Sequence, residues 1–175
     1  MSRLATQGLV VVAVANINIE TQKGRAVGES ELLKGAAIDK DPVVDSMPTE
    51  FEDADTLLLN EAIEVEEANA DTSVSIESPD QLQNFLDQEE KQLREKVDKI
   101  VESGADVVFC QKGIDDMAQH FLAKEGILPV RRVKKSDVGF LKNVLGGSVV
   151  QDIDSLTAAD LGHGSVRRDE EDELF

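Results

Sequence analysis

Tryptophan and tyrosine are absent, and the aromatic content is six phenylalanines. An interface built on Trp or Tyr anchors and a platform that stacks successive bases are both disfavoured. Cysteine occurs once, as Cys110 in the apolar run VVFC. No disulfide can form within the chain, a reducing cytoplasm fits, and the thiol reads as a small buried hydrophobe rather than a nucleophile. Basic residues are scarce: 18 Lys and Arg face 36 Asp and Glu, for a formal charge of −18. Such a field repels nucleic acid, so no nucleic-acid partner is expected. The longest apolar run, Leu9 to Ala15, is too short to cross a bilayer and lacks a basic leader with a cleavage site. Neither a membrane partner nor a secretion signal is expected. Neither G-x-x-x-x-G-K-S/T nor G-x-G-x-x-G occurs, so no phosphate cradle can be argued.

What is present is a globular composition. The 175 residues are 41% apolar, enough for one domain with a real core plus a fragment of another. The acids run through the whole chain, which suits adaptation to high salt, where self-repulsion is screened; an acidic partner surface would give the same count.

The clearest local signal runs from Ser78 to Gly104, SPDQLQNFLDQEEKQLREKVDKIVESG. Ser78 can cap a helix, Pro79 suits its first position, Gln81 completes a capping box, and Gly104 suits a left-handed stop. Glu90/Arg94, Lys91/Glu95 and Glu95/Lys99 are opposite charges four apart, each worth about 0.2–0.5 kcal/mol. The apolar positions fall in two groups. Leu93, Val97, Ile100 and Val101 form a docking stripe, while Leu82, Phe85 and Leu86 lie beyond a wholly polar stretch, Asp87 to Gln92. One unbroken helix of about 25 residues would span about 37 Å, more than the body of such a domain needs. A break near Asp87 is the alternative. In either case the first group forms a tip, unless Phe85 packs locally on an ordinary surface helix.

In chain order, Met1 to Ile19 reads as a cut edge, and Gly24 and Gly28 suggest a hairpin or domain crossing. Gly35 to Asp39 is a short strand candidate, KDPVVDSMPTEF an exposed loop, and TLLLN a buried strand. Ile63 and Val65, then Val74 and Ile76, alternate as half-exposed strands. Beyond Ala105 the pattern is strand at Val107–Cys110, helix at Ile114–Glu125 closed by Gly126, strand at Ile127–Val133, capped helix at Ser136–Leu145 closed by Gly146, and strand at Val149–Gln151. That alternation predicts parallel pairing with right-handed crossovers. Thr157 to Leu161 adds a helical turn, and the tail RRDEEDELF ends without a stop signal. The fold class is mixed α/β.

Candidate chemistry is thin. Asp116 and His120 can share a helix face and polarise one another, which keeps open a small α/β enzyme. His163, in a GHGS turn, offers no third ligand at metal spacing, so neither a metal site nor a catalytic residue is assigned. The one basic cluster, Arg131, Arg132, Lys134 and Lys135, reads as solvated charge balancing nearby acids. On the Ile114–Glu125 helix, Ile114, Ala118, Phe121 and Leu122 should face the sheet, leaving Asp116, Gln119, His120, Ala123 and Lys124 outward.

The run VVFCQKGIDDMAQHFLAKEGILPVRRVKKSD, preceded by SPDQLQNFLDQEEKQLREKVDKIVESGADV, closely resembles the apical domain of group II chaperonins, the archaeal thermosome subunits. GESELLKGAAIDKDPV and DIDSLTAADLGHGSV resemble the segments that enter and leave it, so the similarity extends from about Glu20 onward. The pervasive acidity points within that family to a halophilic archaeal member. The resemblance implies a layered β/β/α apical domain at 36–168 with a helical lid protrusion at about 74–103. It also implies an intermediate-domain fragment at 1–35 and the start of the return at 169–175. It implies binding of unfolded polypeptide, built-in lid closure and, for the parent, other subunits in a double ring, while the isolated chain is expected to be a monomer or weakly associated. Client contacts would fall on the helix at Gly113–Lys124, through Asp116, Gln119, His120, Ala123 and Lys124, and on the loop at Val43–Phe51, through Met47. Phe85 and Leu86 would be the lid tip. The family's ATP and Mg²⁺ site lies in an equatorial domain whose Gly-Asp-Gly-Thr-Thr loop does not occur in this sequence, so no ATP hydrolysis and no cofactor are expected of these residues. Met1 to Ile19 fits the family loosely, and Pro129 and Gly139 interrupt positions where ordinary strand and helix residues would be expected.

Overall fold

The computed structural model describes residues 35–38, 40, 48, 50–65 and 78–167. The chain divides into two units, Met1–Asp39 and Lys40–Phe175, and every element described below belongs to the second. The hairpin around Gly24 and Gly28, the strand at Val74 and Ile76, most of the loop at 40–51 and the acidic tail all lie outside the described residues, and the last two residues of that loop, Glu50 and Phe51, belong to a strand instead.

Among the described residues, five strands and three helices make a mixed α/β fold. In order they are β1 (Glu50–Leu59), α1 (Pro79–Ser103), β2 (Val107–Cys110), α2 (Asp116–Lys124), β3 (Leu128–Val130), α3 (Lys135–Leu145), β4 (Val149–Val150) and β5 (Gly162–Arg167). Two short 3₁₀ turns, Ile153–Ser155 and Ala158–Asp160, lie between β4 and β5. The sheet order is β3-β2-β1-β4, with β5 also on β1. The β1–β2, β1–β4 and β2–β3 pairings are parallel, as the strand-helix alternation predicts. Thr56 pairs with Val107 and Leu59 with Cys110, while Val107 pairs onward with Leu128.

The core follows the strand period of two. Leu57 and Leu59 of β1 and Val108 and Cys110 of β2 join one apolar cluster with Leu93, Val97 and Ile100 of α1 and Ala118 and Leu122 of α2. Leu58, Val107 and Phe109 are buried too, and alternate to the opposite face. Val138 and Leu141 of α3, which touches β1 and β5, are also buried. Burying a side chain of this size stabilises by about 1.5–3 kcal/mol, so both faces of the sheet carry weight.

Several local expectations fail for physical reasons. Gly35 to Ile38 form no strand, and Asp39 is outside the described residues. Ile63 makes only an isolated bridge to Ile114. Ser136 does not cap α3: the cap position is Lys134, without a side-chain bond, and the Ser136 hydroxyl donates to Asp137 instead. His163 sits not in a turn but in β5, antiparallel to β1. Pro129 lies within β3, an edge strand where a missing N–H is tolerated. Gly139 lies inside α3 with open space around it.

Candidate functional site

α1 is one continuous helix of 25 residues, with no break at Asp87. The Ser78 hydroxyl accepts from the Gln81 N–H at 3.3 Å, and Gly104 closes the helix in the left-handed region at φ 85°. Two of the three expected charge pairs form, Arg94 with Glu90 at 3.4 Å and Lys91 with Glu95 at 3.7 Å. Lys99 turns instead to Asp154, 2.5 Å away, and that contact holds the exposed Asp154 carboxyl below its ordinary pKa.

The two halves of α1 differ sharply. Leu93, Val97 and Ile100 are buried, and Lys96 pairs with Glu61 at 3.2 Å. Arg94 stacks its guanidinium 4.7 Å over the Phe121 ring. Among the described residues the first half has no such support: Leu82, Phe85 and Leu86 are all exposed, Leu86 at 48%. A helix that, among the described residues, docks by its C-terminal half is an arm, and its exposed apolar residues face water at a standing cost.

α2 starts beside this arm. Asp115 caps it, accepting from the Met117 N–H at 2.8 Å, and Ala118 and Leu122 face the core. Met117 is 44% exposed. Between the arm and this first turn runs a groove of about 220 Å³, lined by Val65, Leu86, Leu93 and Met117 together with Gln83, Asp87, Glu89, Glu90 and Asp115. That is smaller than the roughly 300–1,000 Å³ of small-molecule sites and suits one or two apolar side chains.

The structure sorts the candidate residues. Asp116, His120 and Lys124 are exposed and Ala123 is half-buried, all on α2. Gln119 does not face outward: it is 5% exposed, and its amide Nε2 donates to the Ile114 carbonyl at 2.6 Å. Because α2 begins only at Asp116, the Ile114 carbonyl is outside the helix ladder, and Gln119 satisfies it. Phe121 is only partly buried. Met47 lies outside the described residues. Met117 was missed because a methionine between two acids and an alanine gives no outward signal in a helical pattern. Asp116 lies 3.5 Å from Arg131, and neither it nor His120 lines the groove or the smaller hollow at Arg94, Phe121 and Lys124. The enzyme reading therefore gains no pocket. Among the described residues no three His, Cys, Asp or Glu side chains group as metal ligands. Burial pushes the Cys110 thiol up to about 11, and its Sγ donates to the Glu61 carbonyl at 3.1 Å, which suits packing rather than nucleophilic attack.

The sequence from residue 2 to residue 174 matches the model of the TCP-1/cpn60 chaperonin family. The chain belongs to that family. Thermosome subunit beta of Halobacterium salinarum is 72% identical over 168 residues, 96% of this chain and 30% of that protein. Thermosome subunit 2 of Haloferax volcanii is 68% identical over 171 residues, 98% of this chain and 31% of that protein. The open-state monomer of a group II chaperonin from Methanococcoides burtonii shares the fold, with a TM-score of 0.74 and 39% identity over 93% of this chain and 34% of its own. The resemblance to thermosome subunits of halophilic archaea thus holds, and this chaperonin chain spans about a third of the length of the relatives it matches.

Proposed function

We propose that this chain is the polypeptide-binding apical part of a group II chaperonin subunit, holding apolar segments of non-native proteins while α1 serves as part of a built-in lid. In this reading residues 1–35 belong to the intermediate domain, 36–168 to the apical domain and 169–175 to the return, and the parent works in the cytoplasm as an ATP-driven double ring. The observation that carries the reading is the cluster of exposed apolar side chains on the arm, Leu82, Phe85 and Leu86, beside Met117 on α2. A soluble domain gains nothing from leaving these in water, whereas a surface that takes many partners uses small, adaptable apolar contacts. Asp116, His120, Ala123 and Lys124 would form the polar part of the contact surface. Binding is weak and broad, since the groove is shallow and no Trp or Tyr anchors it.

The groove does not suit a nucleotide. Among the described residues four carboxylates and no cation line it, and a triphosphate would be repelled. ATP and Mg²⁺ belong in this reading to other parts of the parent, and no step is assigned to them in this chain. The test is suppression of aggregation: the chain, in salt that keeps it folded, slows light scattering by a chemically denatured client diluted into buffer. A folded chain in excess with no effect contradicts the reading.

A further inference from the structure

The lining of the groove says more than that it is apolar. Val65, Leu86, Leu93 and Met117 give it apolar surface, and Asp87, Glu89, Glu90 and Asp115 form its rim, with no lysine or arginine among the described lining residues. Acidity of the whole chain does not by itself produce this, because the neighbouring hollow mixes Asp98 and Glu125 with Arg94 and Lys124. Only one rim carboxylate has a cationic partner among the described residues: Glu90, at 3.4 Å from Arg94. Asp87 accepts from the Gln83 amide at 2.8 Å and Asp115 caps α2, and among the described residues neither carboxylate has a basic side chain paired with it.

We propose that this groove selects, among non-native polypeptides, apolar segments flanked by lysine or arginine. The inference rests on the polypeptide-binding reading above and specifies its substrate class. An apolar side chain of the segment enters between Leu86 and Met117, and basic residues on either side of it meet Asp87 and Glu89. A segment flanked by acids would place like charges against the rim, and would be rejected by repulsion rather than by shape. Asp87 is exposed and Glu89 half-buried, so these contacts are screened and the preference shrinks as salt rises.

The test uses three labelled peptides that share one leucine- and phenylalanine-rich centre and differ only in flanking pairs of Lys, Ser or Glu. Their binding to the chain is followed by fluorescence anisotropy, at the lowest salt at which circular dichroism shows the chain folded. The expected order is Lys over Ser over Glu, with about a tenfold span between the ends that narrows as salt rises. The Asp87→Asn, Glu89→Gln double variant, which alters exposed or half-buried positions and leaves the Glu90–Arg94 pair in place, should bind the Ser-flanked peptide as before and lose most of the span. Equal binding of all three peptides overturns the charge preference and leaves the apolar reading standing. A preference unchanged in the double variant overturns the assignment to this rim, and no binding by any peptide overturns both readings.

Discussion

Lys96 Nζ lies 3.2 Å from Glu61 Oε1, and the other oxygen of that carboxylate accepts from the Ile153 N–H at 2.7 Å. One side chain thus ties α1 to the strand-end loop and to the 3₁₀ turn after β4. Lys96 also donates to the Ala62 and Glu64 carbonyls, each at 3.4 Å. Both side chains are half-buried, so removing Glu61 leaves Lys96 without its counter-ion and the Ile153 N–H without its acceptor. Glu61→Ala is expected to cost about 1–3 kcal/mol in urea unfolding, and Glu61→Gln less, because the amide oxygen can still accept from Ile153.

The arm predicts a contrast between two leucines seven residues apart on one helix. Leu93→Ala, at 2% exposure, should cost about 2–5 kcal/mol. Leu86→Ser, in the exposed half, should stay within about 0.5 kcal/mol while weakening client capture. Urea midpoints of the two variants check the first part and aggregation assays the second. A large stability loss in Leu86→Ser would mean that the arm is packed rather than free.

Much of this was legible beforehand, and what was not has a local cause. The α1 boundaries could be read from Ser78, Pro79 and Gly104 because caps are chemistry of single residues. β5 could not be read, since its sequence GHGSVR mimics a turn. Its glycines answer to close approach instead: a Cβ on Gly162 would stand 2.9 Å from the Gly146 carbonyl oxygen, and one on Gly164 would stand 2.6 Å from Leu145 Cδ2. The first half of β1 hid behind its acids for a related reason. That half pairs with β5, with a bulge between Phe51 and Ala54 and Asp53 at φ 52°, whereas Leu57 to Leu59 are fully buried. The groove was invisible because it needs Val65 and Met117, far apart in sequence, to meet Leu86 and Leu93 of α1, and no local pattern gives that meeting.

Gly139 interrupts α3 at an exposed position with nothing within 4 Å of an added Cβ. Gly139→Ala should therefore raise stability by about 0.5–1 kcal/mol through the lower entropy of the unfolded chain. A rise in the thermal midpoint at unchanged circular dichroism checks it.

Cys110 predicts a pH dependence. Burial raises the folded-state thiol to about 11, above its ordinary 9.0, so the folded chain holds that proton longer than the unfolded one. Its contribution is fully present below pH 9 and is lost as pH climbs through about 11, a change of about 2–3 kcal/mol. Lysines titrate in the same range, so the quantity to measure is the difference from Cys110→Ala. That variant should lose less stability between pH 9 and 11 than the parent chain does.

The most direct test of the account is to ask where a client touches. A photo-crosslinking benzophenone amino acid is placed in turn at Met117, at Leu86 and at Val144, the last an equally exposed apolar position on α3. Irradiation with a denatured client should give crosslinks from positions 117 and 86 and few from 144. Crosslinking as strong from 144 as from the other two, or from 144 alone, would contradict a client surface between the arm and α2.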